Sequence, residues 1–186
     1  DVKGPEIRTG VLEEPIDLQA GDAFELYTTM HEGSMRGVDV NYPELPNDVV
    51  VGGTILLDSG LIRLEVIAKT ATAVQCRVLT PGTLGSRRHI NLPGIHVNLP
   101  SLTEKDERDV RVGVEAGCDF FALSFVRGAD DLRRLRALLA SLGSRARIIA
   151  KIEDQGGLRN LDAIVAEADA VMVARGDLGI EIEYQT

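Results

Sequence analysis

Apolar and polar positions alternate along the first half of the chain, whereas apolar positions recur at helical spacing along the second. Residues 23–27 alternate strictly, as do residues 73–79, which end at the break Pro81-Gly82. Residues 54–58 and 61–66 flank the short turn Ser59-Gly60 and predict a β-hairpin. About five short strands at this spacing predict a small antiparallel barrel or sandwich across residues 6–98.

The pattern changes after Pro93-Gly94 and Pro100. Ser101-Leu102-Thr103-Glu104 has the spacing of a capping box and predicts a helix running to about Ala116 and stopped by Gly117. Residues 120–126 form a continuous apolar run of strand length. Leu132, Leu135, Leu138, Leu139 and Leu142 then recur at helical spacing until Gly143. Residues 148–152 predict a second buried strand, Leu158, Leu161, Ile164, Val165 and Ala168 a further helix, and residues 170–174 a third strand. Apolar strands alternating with amphipathic helices predict a parallel sheet covered on both faces.

Parallel βα units carry their chemistry at the C-terminal ends of the strands. That rule singles out residues 124–127, 151–154 and 175–179. Lys151 and Glu153 point to one side of their strand, and Asp177 can meet Glu153 from the neighbouring strand end. Two carboxylates suit a hard cation such as Mg²⁺, whose shell substrate oxygens and water would complete. Lys151 adds a compact positive charge for an oxyanion or a transferring phosphoryl group. A plain ion pair would also explain Lys151 beside Glu153. The residues by themselves leave open phosphoryl transfer and an enolate-forming reaction on a small keto acid.

Composition removes other classes. Twenty Lys+Arg against 29 Asp+Glu give a net charge of −9, which opposes a nonspecific grip on nucleic acid or an anionic membrane. Aromatic residues make up 4% with no Trp, too few for a base-stacking platform. No apolar run approaches the ~18 residues of a membrane span. Cys76 and Cys118 sit in apolar, strand-like surroundings and read as two buried thiols, which fits a reducing cytosol. His31, His89 and His96 lack the spacing of a helical zinc pair. The opening Asp1-Val2-Lys3-Gly4-Pro5 is unlike a signal peptide and, without an initiator Met, reads as the start of an excised piece.

Local segments then become specific. Residues 1–10 (Asp-Val-Lys-Gly-Pro-Glu-Ile-Arg-Thr-Gly), Asn91-Leu92-Pro93-Gly94, Leu99-Pro100, Glu104-Lys105-Asp106, Ser124-Phe125-Val126-Arg127, Ala150-Lys151-Ile152-Glu153 and residues 172–179 (Met-Val-Ala-Arg-Gly-Asp-Leu-Gly) follow one another in order. In order and spacing they resemble the pyruvate kinase family, from Asp1 to the last few residues. The resemblance implies an α/β fold joined to an all-β one: part of a (β/α)₈ TIM barrel with an inserted small antiparallel β-barrel lid. Residues 1–5 would end the third barrel strand, residues 6–98 would be the lid, and residues 99–186 barrel units four to six.

The implied reaction is phosphoryl transfer from phosphoenolpyruvate to ADP, giving pyruvate and ATP, the last step of glycolysis. By the same resemblance Glu153 and Asp177 would hold Mg²⁺ or Mn²⁺, and Lys151 would be catalytic, stabilising the transferring phosphoryl group and the enolate. The N–H groups at Arg175, Gly176 and Asp177 would receive the substrate carboxylate. Asp1 and the carbonyl of Val2 would bind K⁺, a requirement that goes in the family with a glutamate at the position of Glu6. Arg8 and Arg88 would face the nucleotide phosphates, and Ser124 and Arg127 would shape the pocket wall, with plain structural support as the alternative for these two. The parent would be a cytoplasmic homotetramer without nucleic-acid or membrane partners, and the 186-residue segment alone would be inactive.

The chain departs from the family pattern in four places: Val2 for threonine, Arg88 for lysine, Asp58-Ser59-Gly60 for Asp-Asp-Gly, and Gly156-Gly157 for an acid-Gly pair. The competing readings are a metal-dependent 2-keto-acid lyase of the phosphoenolpyruvate/pyruvate barrel type and a non-catalytic lid and half-barrel fragment.

Overall fold

The structure, a computed structural model, describes residues 1–30, 33–34, 36–95, 97 and 99–182. His31 and His96 lie outside the described residues. The chain divides into two compact units, one formed by Glu6–Asn98 and one by Asp1–Pro5 with Leu99–Thr186.

The Glu6–Asn98 unit contains β1 (Ile16–Leu18), β2 (Ala23–Tyr27), β3 (Gly37–Asp39), α1 (Leu45–Asp48), β4 (Thr54–Leu57), β5 (Ile62–Lys69), β6 (Ala73–Thr80), β7 (Gly82–Leu84) and β8 (Ile90–Asn91). Six strands form a sheet in the order β3-β2-β6-β5-β4-β8, and β1 pairs with β7. Alternation does the sorting. Phe24, Leu26, Leu64, Val66, Val74 and Val78 are buried, while Glu65 and Arg77, partners across β5 and β6, meet at 2.6 Å on the outer face. The predicted hairpin turn is Asp58-Ser59-Gly60, whose φ angles are 51°, 56° and 82°.

The break at Pro81 ends β6, and β7, which begins at the next residue, pairs with β1 in a separate two-stranded sheet. One expectation fails: the six-stranded sheet is not wholly antiparallel, since β3 runs parallel to β2. The stretch from Tyr27 to Gly37 is too long for the tight turn that enforces antiparallel pairing. Gly37 makes that pairing possible: a Cβ there would lie 2.4 Å from the Glu25 carbonyl oxygen and 2.6 Å from the Tyr27 ring. Cys76 is buried as expected, its thiol pushed up to about 12, chiefly by burial.

The second unit runs α2 (Glu104–Glu115), β9 (Phe120–Leu123), α3 (Ala129–Ser141), β10 (Arg147–Ile152), α4 (Gln155–Arg159), α5 (Leu161–Glu167), β11 (Ala170–Val173) and α6 (Arg175–Glu181). The strands are parallel in the order β11-β10-β9, and Val2 bridges in parallel to Leu123 at the free edge of β9. Phe121, Leu123, Ile148, Ala150 and Ile152 share one face by period 2. They are buried against Leu132, Leu135 and Leu139 of α3 and Ile164 of α5. Gly117 and Gly143, at φ 75° and 68°, follow α2 and α3.

The cap of α2 lies two residues beyond the expected one. Thr103 is the N-cap and Asp106 completes the box, since Thr103 Oγ1 accepts from Asp106 N at 3.1 Å while Asp106 Oδ2 accepts from Thr103 N at 2.8 Å. Ser101 has Glu104 at the same spacing, but Glu104 is the first residue of α2, so the box forms on Thr103 and Asp106 instead. Thr103→Ala should cost about 1 kcal/mol of stability, read as a lower urea midpoint with an unchanged slope.

Three further differences follow from local chemistry. The helix predicted through Leu158–Ala168 is two helices, because Asn160 Nδ2 donates to the Arg127 carbonyl at 2.7 Å and Asn160 leaves helical geometry (φ −106°, ψ 17°). Cys118 is exposed, because it lies in the turn after α2 and not in the strand. β11 is exposed along its whole length, with β10 its only strand partner among the described residues.

Asp169 ties α3 and the start of β10 together. Its Oδ2 accepts from Ile148 N at 2.8 Å and from Arg136 at 3.2 Å. The Ile148 amide, helped by Arg136 and opposed by partial burial, holds this carboxyl below its usual range. A depressed folded-state pKa adds stability that is fully present above the unfolded value of ~4 and is lost as pH falls through the folded one. Asp169→Asn should therefore be less stable than the parent at pH 7, and the gap should close on acidification. Urea midpoints measured down the pH scale check both.

Candidate active site

The parallel register brings the polar exits of the strands to one end of the sheet. Lys151 sits opposite Met172 in β11, on the face away from the helical core. Its Nζ donates to Ser124 Oγ at 2.8 Å, faces Glu153 Oε1 at 3.0 Å and reaches Asp1 Oδ2 at 3.5 Å. Asp1 arrives because Val2 N donates to the Ala122 carbonyl and Ser124 N donates to the Val2 carbonyl, which seats the first residues along β9. Asp106 secures the same segment by accepting from Gly4 N at 3.3 Å. Asp1, Ser124, Lys151 and Glu153 thus form one cluster.

Glu153 is the buried charge of the cluster, with 2% of its side chain exposed. Its Oε2 accepts from the Phe125 N–H at 2.6 Å, which leaves Oε1 toward Lys151. An ionised carboxylate at that depth needs such partners. Phe125 adopts φ 53°, a conformation that costs a bulky residue of order 1–3 kcal/mol.

Asp177 lies in the first turn of α6, which begins directly after β11. Neither its carboxylate nor the Arg175 guanidinium has a hydrogen bond or ion pair among the described residues. The first amide bonded inside α6 is that of Leu178, to the Ala174 carbonyl, so the N–H groups of residues 175–177 have no partner within the helix. A Cβ on Gly176 would meet open space. The donor set is oxygen only, with one anchored and one open carboxylate, and it fits a hard cation that keeps outside ligands. Among the described residues no three His, Cys, Asp or Glu side chains are grouped to hold a metal unaided.

Arg127 is held by two acids. Its Nε meets Asp154 Oδ2 at 3.2 Å and its N–H caps onto Asp131 Oδ2 at 2.9 Å. Asp154 also accepts from Gly157 N at 2.8 Å, so Gly156-Gly157 still opens a helix. Arg8 and Arg88 lie in the Glu6–Asn98 unit. Arg8 pairs with Glu6 at 2.6 Å and donates to the Arg87 carbonyl at 2.8 Å, and Arg88 faces Asp58 at 3.5 Å. The Thr9 amide bonds the Arg88 carbonyl at 2.9 Å, holding the two segments side by side.

A family model described as pyruvate kinase, barrel domain, matches residues 1–186. The chain belongs to the pyruvate kinase family. A pyruvate kinase of Eimeria tenella is 45% identical over 186 residues, covering 98% of this chain and 35% of that protein. One from Geobacillus stearothermophilus is 46% identical over 186 residues, covering 98% of this chain and 32% of that protein. The crystal structure of a pyruvate kinase from Cryptosporidium parvum superposes with a TM-score of 0.92 at 38% identity, over 97% of this chain and 39% of that one. The chain spans about a third of the length of the curated relatives it matches. Within this pyruvate kinase segment, sequence reasoning missed the amide of Phe125. A left-handed phenylalanine has no residue-type signature, unlike a glycine in the same conformation.

Proposed function

We propose that the protein transfers a phosphoryl group from phosphoenolpyruvate to ADP, yielding pyruvate and ATP as the closing step of glycolysis. In this reading residues 6–98 form a closing lid, residues 1–5 end the third strand of a (β/α)₈ barrel, and residues 99–186 supply units four to six. The observation that carries it is the Lys151 ammonium held among Glu153, Ser124 and Asp1 where parallel strands end.

Lys151 offers its charge to the transferring phosphoryl oxygens and to the enolate oxygen left behind, and Ser124 fixes the direction of the ammonium. Glu153 and Asp177 would hold Mg²⁺ or Mn²⁺, which when bound supplies charge neutralisation at those same oxygens. The N–H groups of Arg175, Gly176 and Asp177 receive the substrate carboxylate. Asp1 and the Val2 carbonyl hold K⁺. That carbonyl already accepts the Ser124 amide, so it contributes its second lone pair. Arg8 and Arg88 turn toward the ADP phosphates, exchanging half-exposed ion pairs that contribute little in water. The working protein is a cytoplasmic homotetramer.

A coupled assay for pyruvate tests the reading: formation should require ADP, Mg²⁺ and phosphoenolpyruvate together. Cleavage of a 2-keto-acid aldol without nucleotide would replace kinase by lyase. The same assay checks the monovalent site, where K⁺ should activate relative to a bulky organic cation at matched ionic strength. Equal rates would remove Asp1 and Val2 from that role.

A further inference from the structure

The chain leaves β9 through Ser124, Phe125 and Val126, and their amides go to two kinds of partner. Ser124 N donates to the Val2 carbonyl at 2.9 Å, and Val126 N to the Lys151 carbonyl at 3.4 Å. Both go to backbone carbonyls of neighbouring segments, the first within the parallel bridge of Val2 with Leu123. Between them Phe125, at φ 53°, turns its N–H out of the ladder and onto Glu153 Oε2 at 2.6 Å. Regular strand geometry would have offered that amide to a backbone carbonyl of a neighbour. The left-handed turn instead hands it to a side chain two residues beyond Lys151. The consequence is an asymmetry in a carboxylate that is otherwise symmetric. One oxygen of Glu153 is fixed by backbone, and the other faces Lys151 at 3.0 Å.

We propose that Phe125 is a positioning residue: its left-handed backbone aims the amide that fixes Glu153 Oε2 and so presents Oε1 to Lys151 and the divalent cation. This rests on the cation reading given above. The device lies in the backbone, not in the aromatic ring. Glycine adopts φ > 0 freely and keeps the N–H, whereas a β-branched residue resists that region.

Calorimetry with Mn²⁺ alone and amide exchange at position 125, both on the full chain and without turnover, test it. Phe125→Gly should bind Mn²⁺ within about twofold of the parent with a protected amide, while Phe125→Ile should lose about 10–100-fold with rapid exchange and an unchanged circular dichroism spectrum. Parent-like Mn²⁺ binding and protection in Phe125→Ile would overturn the proposal, as would an equal loss in Phe125→Gly. Glu153→Gln separates the two layers of the argument. If Mn²⁺ binding survives that change, the cation reading fails. Exchange then decides the positioning by itself: faster exchange at Phe125 in Glu153→Gln supports the anchor, and unchanged exchange overturns it.

Discussion

Lys151→Met should lower kcat by about 10²–10³-fold while leaving KM for phosphoenolpyruvate within a few-fold, the loss expected when one preorganised charge is removed from a developing oxyanion. Methionine keeps the unbranched stem and gives up the ammonium. That charge sits 3.0 Å from Glu153 and 2.8 Å from the Ser124 hydroxyl, so it is already oriented before substrate arrives. A charge held in place acts most where negative charge grows, which is the transition state and not the ground state. A raised KM with an unchanged kcat would make Lys151 a ground-state binding residue. Among the described residues the substitution also leaves the buried Glu153 carboxylate with the Phe125 amide as its remaining near partner. A stability loss of about 1–3 kcal/mol should accompany it. Denaturation of the variant therefore belongs beside its kinetics, and assays should run well below its midpoint.

Glu153→Ala and Asp177→Ala should each raise the Mg²⁺ requirement and reduce turnover by orders of magnitude, because a metal that carries the charge stabilisation is lost with either ligand. The double variant is the sharper measurement. If both carboxylates serve one ion, removing the second costs far less than removing the first, a non-additivity expected of residues that act as a unit. Additive losses would assign them to separate tasks. Glu153→Ala should also destabilise less than a naive count of its bonds suggests, since it removes a buried charge along with its partners.

Much of the second unit was legible from period alone. Strand-length apolar runs separated by leucines at helical spacing left few alternatives for β9, β10, α3 and their order. Period 2 likewise put Lys151 and Glu153 on one side before any contact was known. What escaped the sequence was set by partners distant along the chain. Asp1 beside Lys151 depends on Val2 pairing with Leu123, which the hydrophobic pattern of neither segment announces. The parallel run of β3 depends on a close approach that only Gly37 allows. The split between α4 and α5 turns on one amide side chain choosing the Arg127 carbonyl over solvent. Exposure along β11 escaped for the opposite reason: hydrophobicity predicts what a strand would bury, not what stands against it.

The edge pairing of Val2 has a kinetic side. Its contacts with Ala122, Leu123 and Ser124 enclose the whole Glu6–Asn98 unit, so they close one of the longest loops the chain forms. In an unfolded chain that closure carries an entropic cost growing as about (3/2)RT ln n with loop length. Folding Glu6–Asn98 first replaces a long flexible loop by a compact insert. Refolding should accordingly show a fast phase from hairpin contacts such as β5 with β6, and a slower one in which amide protection at Val2 and Ser124 develops last. The lysine cluster, which needs Asp1 in place, would then be completed only at the end of folding.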